Sequence, residues 1–114
     1  MITTVVNKTE AIHKIYRNAD VEIIAGENSL ETELKEGGCI FKLCYDKVYW
    51  NSRLQYERDR ILELLKPGEN LLDLFCGIGP LCIRAAKKGC NVIGNDLNPD
   101  CYKYLQINAK LNKV

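Results

Sequence analysis

Histidine and closely paired cysteines are scarce in this sequence, which excludes the commonest zinc sites. The 114 residues include six cysteines and a single histidine, His13, which we expect at the surface or in a strand. No two cysteines have the C-x-x-C spacing of a zinc or redox motif. Cys39, Cys76 and Cys82 lie in or beside apolar runs, as reduced core thiols do. We therefore expect no metal and a reducing compartment, namely the cytoplasm, with mitochondrial or nuclear pools also compatible.

The sequence also has no excess of charge of either sign and no long apolar run. Lysine and arginine total 16 against 15 aspartates and glutamates, so the chain carries no electrostatic signature of a nucleic-acid or membrane surface. No apolar run approaches the roughly 18 residues that span a bilayer. No charged and then apolar leader opens the sequence. We expect a monomer that makes no contact with membranes.

The most informative stretch is an apolar run that leads into two glycines. Residues 71–75 are apolar except for Asp73, and Gly77 and Gly79 follow at once. An apolar run bounded by glycine is typical of a buried parallel strand that ends in a tight turn. Glycine has no side chain, so a ligand can approach the backbone at such a turn.

The next two segments complete a recognisable unit. Residues 81–88 have helical composition and stop before Gly89, which suits a helix C-terminus. Residues 91–96 form a second apolar run that ends in Asp96. Strand, glycine turn, helix, strand and acid make up the first half of a Rossmann-type nucleotide site.

The details of this turn favour a nucleoside without phosphate. A dinucleotide turn has a third glycine where this chain has Cys82, and Pro80 removes a backbone donor. Asp96 suits two ribose hydroxyls. Asp73 inside the first strand is costly unless a cation or donors meet it, and the ammonium of S-adenosylmethionine is such a cation. S-adenosylmethionine therefore fits better than NAD, although glycines and acids that merely shape a turn would leave the same pattern.

The region before this unit has a different pattern. Residues 3–6 and 21–26 are β-branched and strand-like. Further on, Gly37-Gly38 separates two β-like runs and predicts a two-residue hairpin. We predict an antiparallel β subdomain over residues 1–46 and the first half of a Rossmann-type domain over 47–114. A pair of parallel strands with open faces leaves apolar surface in water, so we expect these residues to be part of a longer protein.

Two further helices are expected, one on each side of the glycine turn. Asn51 or Ser52 would cap a helix over residues 53–65, which Lys66-Pro67-Gly68 would stop. Asn98 would cap a last helix over 100–111, with three residues facing the sheet: Tyr104, Ile107 and Leu111. Before the first of these helices, two aromatic residues would stack on a base or plug the junction between subdomains: Tyr49 and Trp50.

Four stretches carry a resemblance to a known family. Residues 46–58, 73–80 and 95–99, with 17–27 further upstream, closely resemble the archaeal and eukaryotic tRNA (guanine-37-N1) methyltransferases. The similarity covers nearly the whole chain. It implies S-adenosylmethionine as methyl donor, a Rossmann-like (class I) methyltransferase fold of the α/β class, and methylation of the tRNA base next to the anticodon.

The resemblance also implies roles for individual residues. Glu57 matches the general base, Arg17 the arginine on the guanine O6 side, and Arg53 and Arg58 the arginines that flank the base. From periodicity alone, Arg53, Glu57 and Arg60 would equally form a solvated ion-pair ladder. Asp96 and Asn98 match the acid and amide that contact the cofactor. The cofactor site as a whole is predicted to comprise Asp73, Phe75, Gly77, Gly79, Pro80, Asp96, Leu97 and Asn98.

Two departures from the family pattern leave alternatives open. The family's N-terminal tRNA-binding domain and its downstream Asn-Pro-Pro motif are absent, so we expect these 114 residues alone not to methylate tRNA. A related family transfers the aminocarboxypropyl group of the same cofactor to tRNA in wybutosine synthesis, but it usually has Gly-Asn in place of Arg53-Leu54. A non-catalytic Rossmann binding module is the other alternative. An NAD-dependent oxidoreductase is disfavoured by Cys82 and Pro80.

Overall fold

The computed structural model describes residues 1–9, 15–17 and 19–114 as a mixed α/β chain. His13 lies outside the described residues. No helix in the described part combines the length and the apolar character needed to cross a membrane. In chain order the elements are β1 (Thr4–Lys8), β2 (Val21–Gly26), β3 (Glu31–Glu36), β4 (Cys39–Cys44), a 3-10 turn (Ser52–Leu54), α1 (Gln55–Leu64), β5 (Asn70–Asp73), α2 (Pro80–Lys87), β6 (Asn91–Gly94) and α3 (Pro99–Leu111).

The predicted antiparallel pairs are present. β1 pairs with β2, and β3 pairs with β4 so that Glu36 lies opposite Cys39. Gly37 and Gly38 between them have φ of 56° and 76°. Two successive residues with positive φ are what the tightest hairpin turn requires, and glycine adopts them at least cost. The Gly-Gly hairpin prediction is confirmed.

The hairpin packs directly on the helices that follow it. Phe41 and Leu43 of β4 share one hydrophobic cluster with Ile83 of α2 and Tyr104 of α3. These side chains alternate along β4, so one face of the hairpin is buried and the other faces water. This cluster joins segments on both sides of the boundary predicted after residue 46, and that division into two domains stays a prediction.

Two asparagines, Asn108 of α3 and Asn112 at its C-terminal cap, complete the free edge of β4. Asn108 accepts from the Lys42 N–H at 2.7 Å and donates to the Lys42 carbonyl at 3.0 Å. Asn112 makes the same pair of bonds to Ile40, at 3.0 and 2.7 Å. Asn108 and Asn112 are four residues apart, so their side chains lie on the same side of the helix. Because buried backbone groups need hydrogen-bond partners, the two side-chain amides supply the bonds that a neighbouring strand would make. The prediction that Leu111 faces a sheet is wrong, because amides occupy the buried face and Leu111 is exposed.

The parallel pair is smaller and half covered. β5 and β6 pair in parallel, with Leu71 opposite Val92 and Leu72 opposite Ile93. Leu71 and Val92 pack against α2 and α1 residues in a second cluster. On the other face Leu72 is 60% exposed and Ile93 69% exposed. Strand, helix and parallel strand in this order confirm the first half of a Rossmann-like unit.

The ends of the elements differ slightly from the predicted ones. Both strands end before the predicted limits, at Asp73 and Gly94, because the chain turns there to form the glycine turn and its partner loop. α2 begins at Pro80, where the missing N–H is one of the donors a helix start leaves unpaired. Before α1, the Asn51 side chain accepts from the Arg53 N–H at 3.0 Å and caps a 3-10 turn, so the α-helix itself starts at Gln55.

Candidate active site

Asp96 closes the glycine turn. Its carboxylate accepts hydrogen bonds from the Gly77 N–H at 2.8 Å and from the Asn98 N–H at 2.9 Å. The Gly79 N–H donates to the Cys76 carbonyl at 2.9 Å. Both glycine amides are therefore used within the turn, whereas a pyrophosphate turn aims such amides at its ligand. This geometry agrees with a ligand that carries no phosphate.

The two glycines of the turn have different surroundings. Both have positive φ, 56° at Gly77 and 90° at Gly79. A Cβ on Gly79 would overlap Leu105 of α3, so the absence of a side chain there allows close helix packing. A Cβ on Gly77 would meet no atom of the described residues within 4 Å. The space beside Gly77 is open, as a ligand that rests against the backbone requires.

The Asp73 carboxylate accepts hydrogen bonds from the glycine turn and from α2. Its carboxylate accepts from the Phe75 N–H at 3.2 Å and from the Cys82 thiol at 3.7 Å. Cys82 and Cys76 both pack against Gly94, where a Cβ would come within 3.0 and 3.2 Å of the two sulfurs. A hydrogen bond between the thiols raises the pKa of Cys82 and lowers that of Cys76. A buried sulfur packed against Gly94 thus stands where a dinucleotide turn has a third glycine for close helix–strand packing.

A cleft separates the glycine turn from the segment that precedes α1. Asp73, Phe75, Gly77 and Pro80, all predicted to bind the cofactor, line one wall. The opposite wall includes three residues of the earlier segment and helix: Tyr49, Trp50 and Arg58. The structure therefore brings half of the predicted cofactor residues together with one predicted catalytic arginine.

The other predicted cofactor residues lie outside the lining of this cleft. Gly79 and Asn98 are buried, and Leu97 is strongly exposed. The Asn98 side chain accepts from the Asp100 N–H at 3.0 Å and donates to the Lys47 carbonyl at 2.7 Å. It therefore caps α3 and ties the segment before α1 to the Asp96 loop. Its predicted contact with the cofactor stays a prediction.

Arg17 lies in a second, smaller pocket. This residue has a positive φ of 55°, which is uncommon outside glycine and asparagine. Lys8 and Tyr45 line the same pocket, as do Tyr49 and Trp50. Since these two aromatic residues also line the cleft, they form the partition between the Arg17 pocket and the glycine turn.

Glu57 and Arg53 lie apart from both pockets. Glu57 is half-exposed and accepts two hydrogen bonds from the Arg60 guanidinium, at 2.8 and 2.7 Å. This contact lowers the pKa of Glu57. The ion-pair interpretation of this helix face therefore holds for Glu57 and Arg60 in the free protein. The roles predicted for Glu57, Arg53, Arg58 and Arg17 stay predictions.

Sequence reasoning missed a buried ionic cluster next to the cleft. Glu36 of β3 is only 4% exposed and binds both Arg58 and Arg84, and Arg84 also binds Asp59. One signal was available. Leu34 and Glu36 are two apart on a strand, so if the first faces the core the second must as well.

The structure and the site define half of a Rossmann-like methyltransferase unit. Residues 32–114 match the family described as the TRM5/TYW2 methyltransferase domain, and the chain belongs to that family.

Curated relatives agree with this assignment. A tRNA (guanine(37)-N(1))-methyltransferase of Trichomonas vaginalis is 51% identical over 113 residues, which are 99% of this chain and 30% of that protein. The Homo sapiens protein of the same name is 49% identical over 113 residues, again 99% of this chain but 22% of its own length. The chain thus spans less than a third of these relatives.

Solved structures give the same picture. The chain matches an aTrm5 in complex with tRNALeu with a TM-score of 0.92 at 32% identity, covering 97% of this chain and 33% of that one. Trm5b of Pyrococcus abyssi matches with a TM-score of 0.87 at 42% identity, covering 99% and 34%. TYW2 of M. jannaschii in complex with AdoMet matches with a TM-score of 0.74 at 38% identity, covering 82% and 43%.

Proposed function

We propose that these residues form the first half of the cofactor site and part of the purine site of a tRNA (guanine-37-N1) methyltransferase that uses S-adenosylmethionine. The observation that carries the proposal is the aromatic partition. Tyr49 and Trp50 separate a pocket containing Arg17 from a cleft containing Asp73 and Gly77. A methyl transferase must hold an electron-rich base and a sulfonium on adjacent sides of one reaction point.

The residues around the glycine turn fit S-adenosylmethionine. Gly77 leaves open space, and the Asp73 carboxylate lines the cleft, where it would attract the ammonium of the cofactor. Asp96, in the loop after β6, has lone pairs left for ribose hydroxyls, because the Gly77 and Asn98 amides and the Cys101 thiol use only three of the roughly four sites that a carboxylate offers. When bound, the cofactor supplies a methyl group on a positively charged sulfur.

Methyl transfer to guanine requires a general base in the protein. Guanine N1 carries a proton at neutral pH and is a poor nucleophile until that proton is removed. We assign the removal to Glu57, the match to the family's general base. Its carboxylate is ionised at neutral pH, as an ordinary glutamate is, and the hydrogen bonds from Arg60 lower its pKa further. To reach N1 it must leave Arg60, and half-exposed side chains exchange such partners readily.

The reaction also requires a protein group that stabilises the negative charge that develops on the guanine. As N1 loses its proton, negative charge accumulates on O6 of the guanine. A guanidinium is the side chain best suited to bind such an oxygen, because it is always charged and presents several donors. Arg17 lines the same pocket as Tyr49 and Trp50, whose rings offer a surface for the purine to stack on.

The test is a substitution of Glu57 in the complete gene product. We expect Glu57→Gln to lower the rate of tRNA methylation by about 10²–10⁴-fold, the usual contribution of a positioned general base. Glu63→Gln is the matched control, since Glu63 is an exposed glutamate of the same helix. Undiminished methylation by Glu57→Gln at neutral pH would remove Glu57 from the mechanism.

Aminocarboxypropyl transfer to tRNA is the second candidate. It is supported by the likeness to TYW2 structures, one of them solved with AdoMet. It is disfavoured by Arg53-Leu54, where that family usually has Gly-Asn. The mass of the modified nucleoside separates the two reactions, because a methyl group and an aminocarboxypropyl group differ in both mass and charge. Failure of the protein to bind S-adenosylmethionine would favour a non-catalytic module.

A further inference from the structure

Glu36 is a carboxylate buried beneath the cleft. It ends β3, its side chain is 3% exposed, and it must therefore be paired to remain charged. It accepts from Arg58 Nε at 2.7 Å and from Arg58 Nη2 at 2.6 Å. This two-pronged arrangement is the strongest and most directional that a guanidinium makes with a carboxylate. Arg84 adds a third bond from its Nη1 at 3.1 Å.

The Arg58 guanidinium lies between Glu36 and the ring of Trp50. Its central carbon is 5.1 Å from the centre of the indole ring, within the range of a cation–π contact. A second neighbour of the ring is Phe41, whose ring centre is 6.3 Å away at an interplanar angle of 34°. Trp50 is thus held by a buried aromatic ring and a cation, and the orientation of that cation is set by Glu36.

The rest of the ionic cluster fixes Glu36 itself. Arg84 of α2 bridges Glu36 and Asp59 of α1. A Cβ on Gly37 would overlap the Arg84 guanidinium, so this side chain packs directly over the hairpin turn. The hairpin, α1 and α2 therefore meet at one carboxylate, which cannot shift without moving Arg58.

We propose that Glu36 is a positioning residue for the cofactor cleft: it holds Arg58 against Trp50 and so fixes the aromatic wall opposite Asp73 and Gly77. The inference rests on the proposed function for its consequence, binding of S-adenosylmethionine. Its structural part, the restraint of Trp50, is independent of any activity.

The test compares Glu36→Gln with Glu33→Gln in the complete gene product. Both changes remove one carboxylate from β3, but Glu33 is half-exposed and lies 3.9 Å from Lys42. Labelling with 5-fluorotryptophan gives Trp50 a ¹⁹F resonance, assigned by its loss in Trp50→Phe. We expect Glu36→Gln to shift or broaden that resonance and to weaken S-adenosylmethionine binding in equilibrium dialysis about tenfold, in the range of a lost cation–π restraint. Glu33→Gln should change neither.

Kinetics separate positioning from loss of folded protein. A correctly positioned aromatic wall stabilises the bound cofactor equally in the ground state and in the transition state. Glu36→Gln should therefore raise KM for S-adenosylmethionine about tenfold and change kcat by less than about threefold. A merely destabilised enzyme loses active molecules, which lowers the apparent kcat at unchanged KM. If Glu36→Gln does not fold, the double variant Glu36→Leu/Arg58→Met removes both charges and keeps the volume. It should fold and show the same loosened Trp50 and weakened binding.

Two results would overturn the proposal. One is a wild-type Trp50 resonance in the folded variant; the other is a changed resonance with unchanged cofactor affinity. A wild-type protein that binds no S-adenosylmethionine would instead refute the proposed function, and the resonance would still report whether Glu36 restrains Trp50.

Discussion

The β3–β4 hairpin and the β5–β6 pair are both two-stranded, but they differ in how completely they are covered. The hairpin buries Phe41 and Leu43 fully, and asparagines in α3 and at its C-terminal cap satisfy the outer edge of β4. The parallel pair has a helix on one face only, and Leu72 and Ile93 are exposed on the other. The hairpin therefore contributes two of the largest fully buried side chains, whereas the parallel pair leads into the turn at which a ligand can bind.

This difference shows how the stable part of the chain supports the reactive part. The glycine turn reaches the hydrophobic core through Ile78, which is buried in the main cluster. It is placed by Asp96 and by bonds to the neighbouring loop, and the opposite wall is placed from the hairpin through Glu36, Arg58 and Trp50. Stability at the hairpin should thus be separable from ligand binding at the turn, and four predictions test this.

The largest effect is expected in the hairpin core. Phe41→Ala should lower the free energy of unfolding by about 3–5 kcal/mol, because it removes a fully buried ring and leaves a cavity. Leu72→Ala should cost less than about 1 kcal/mol in the 114-residue chain, since its side chain is already largely in water. Urea denaturation measures both. Equal costs would contradict the comparison.

The next effect concerns the polar edge of the hairpin. Asn108→Leu should cost about 2–3 kcal/mol, because it leaves buried backbone groups of Lys42 and Ile78 unpaired. Gln106→Leu, an exposed amide on the same helix, is the control and should change stability by less than about 0.5 kcal/mol. A harmless Asn108→Leu would mean that the side-chain amide does not stand in for a strand.

Gly37 of the hairpin and Gly77 of the glycine turn have the same φ of 56°, so a substitution adds the same backbone strain at both positions. Gly77→Ala adds a methyl in open space and should cost only the backbone strain, about 1 kcal/mol. Gly37→Ala adds the same strain and also displaces the buried Arg84 guanidinium, so about 2 kcal/mol is expected. In the complete gene product we expect the opposite order for cofactor affinity. Gly77→Ala should weaken S-adenosylmethionine binding, measured by calorimetry, more than Gly37→Ala does.

The smallest effect is expected at the exposed ion pair of Glu57 and Arg60. Because Arg60 lowers the pKa of Glu57 in the folded state, the pair stabilises the fold above the ordinary glutamate value of 4.5 and loses that contribution as pH falls below it. Arg60→Gln should therefore lower Tm slightly at pH 7, and its difference from the wild-type Tm should shrink as the pH falls from 4.5 through the lowered pKa of Glu57. A difference that grows in acid would contradict this assignment.

Local sequence was enough for the elements that depend on backbone chemistry. Gly37-Gly38 predicted the hairpin, Asn98 and Pro99 predicted the start of α3, and the apolar run before Gly77 predicted the parallel strand. Each of these depends on φ, on a capping side chain or on a short periodic run, all of which are encoded within a few residues.

Contacts between distant segments escaped the same reasoning. The α3 face was predicted from apolar spacing as Tyr104, Ile107 and Leu111, yet its buried positions include Asn108, because the partner is a strand edge with polar groups to satisfy. Arg58 was predicted from its place in the motif as one of two catalytic arginines that flank the general base, and that role stays a prediction. The structure shows its guanidinium bound to Glu36, 22 residues away.

The sequence by itself determined the glycine turn, the acid that closes the second strand and, through its motifs, the family, because these features lie in short continuous stretches. Only the tertiary structure decided that Tyr49 and Trp50 divide two pockets and that Glu36 restrains one of these rings. The physical reason is that a buried charge is compatible with folding only where its partners converge, and the partners of Glu36 come from two helices, α1 and α2, that are distant from it in the sequence.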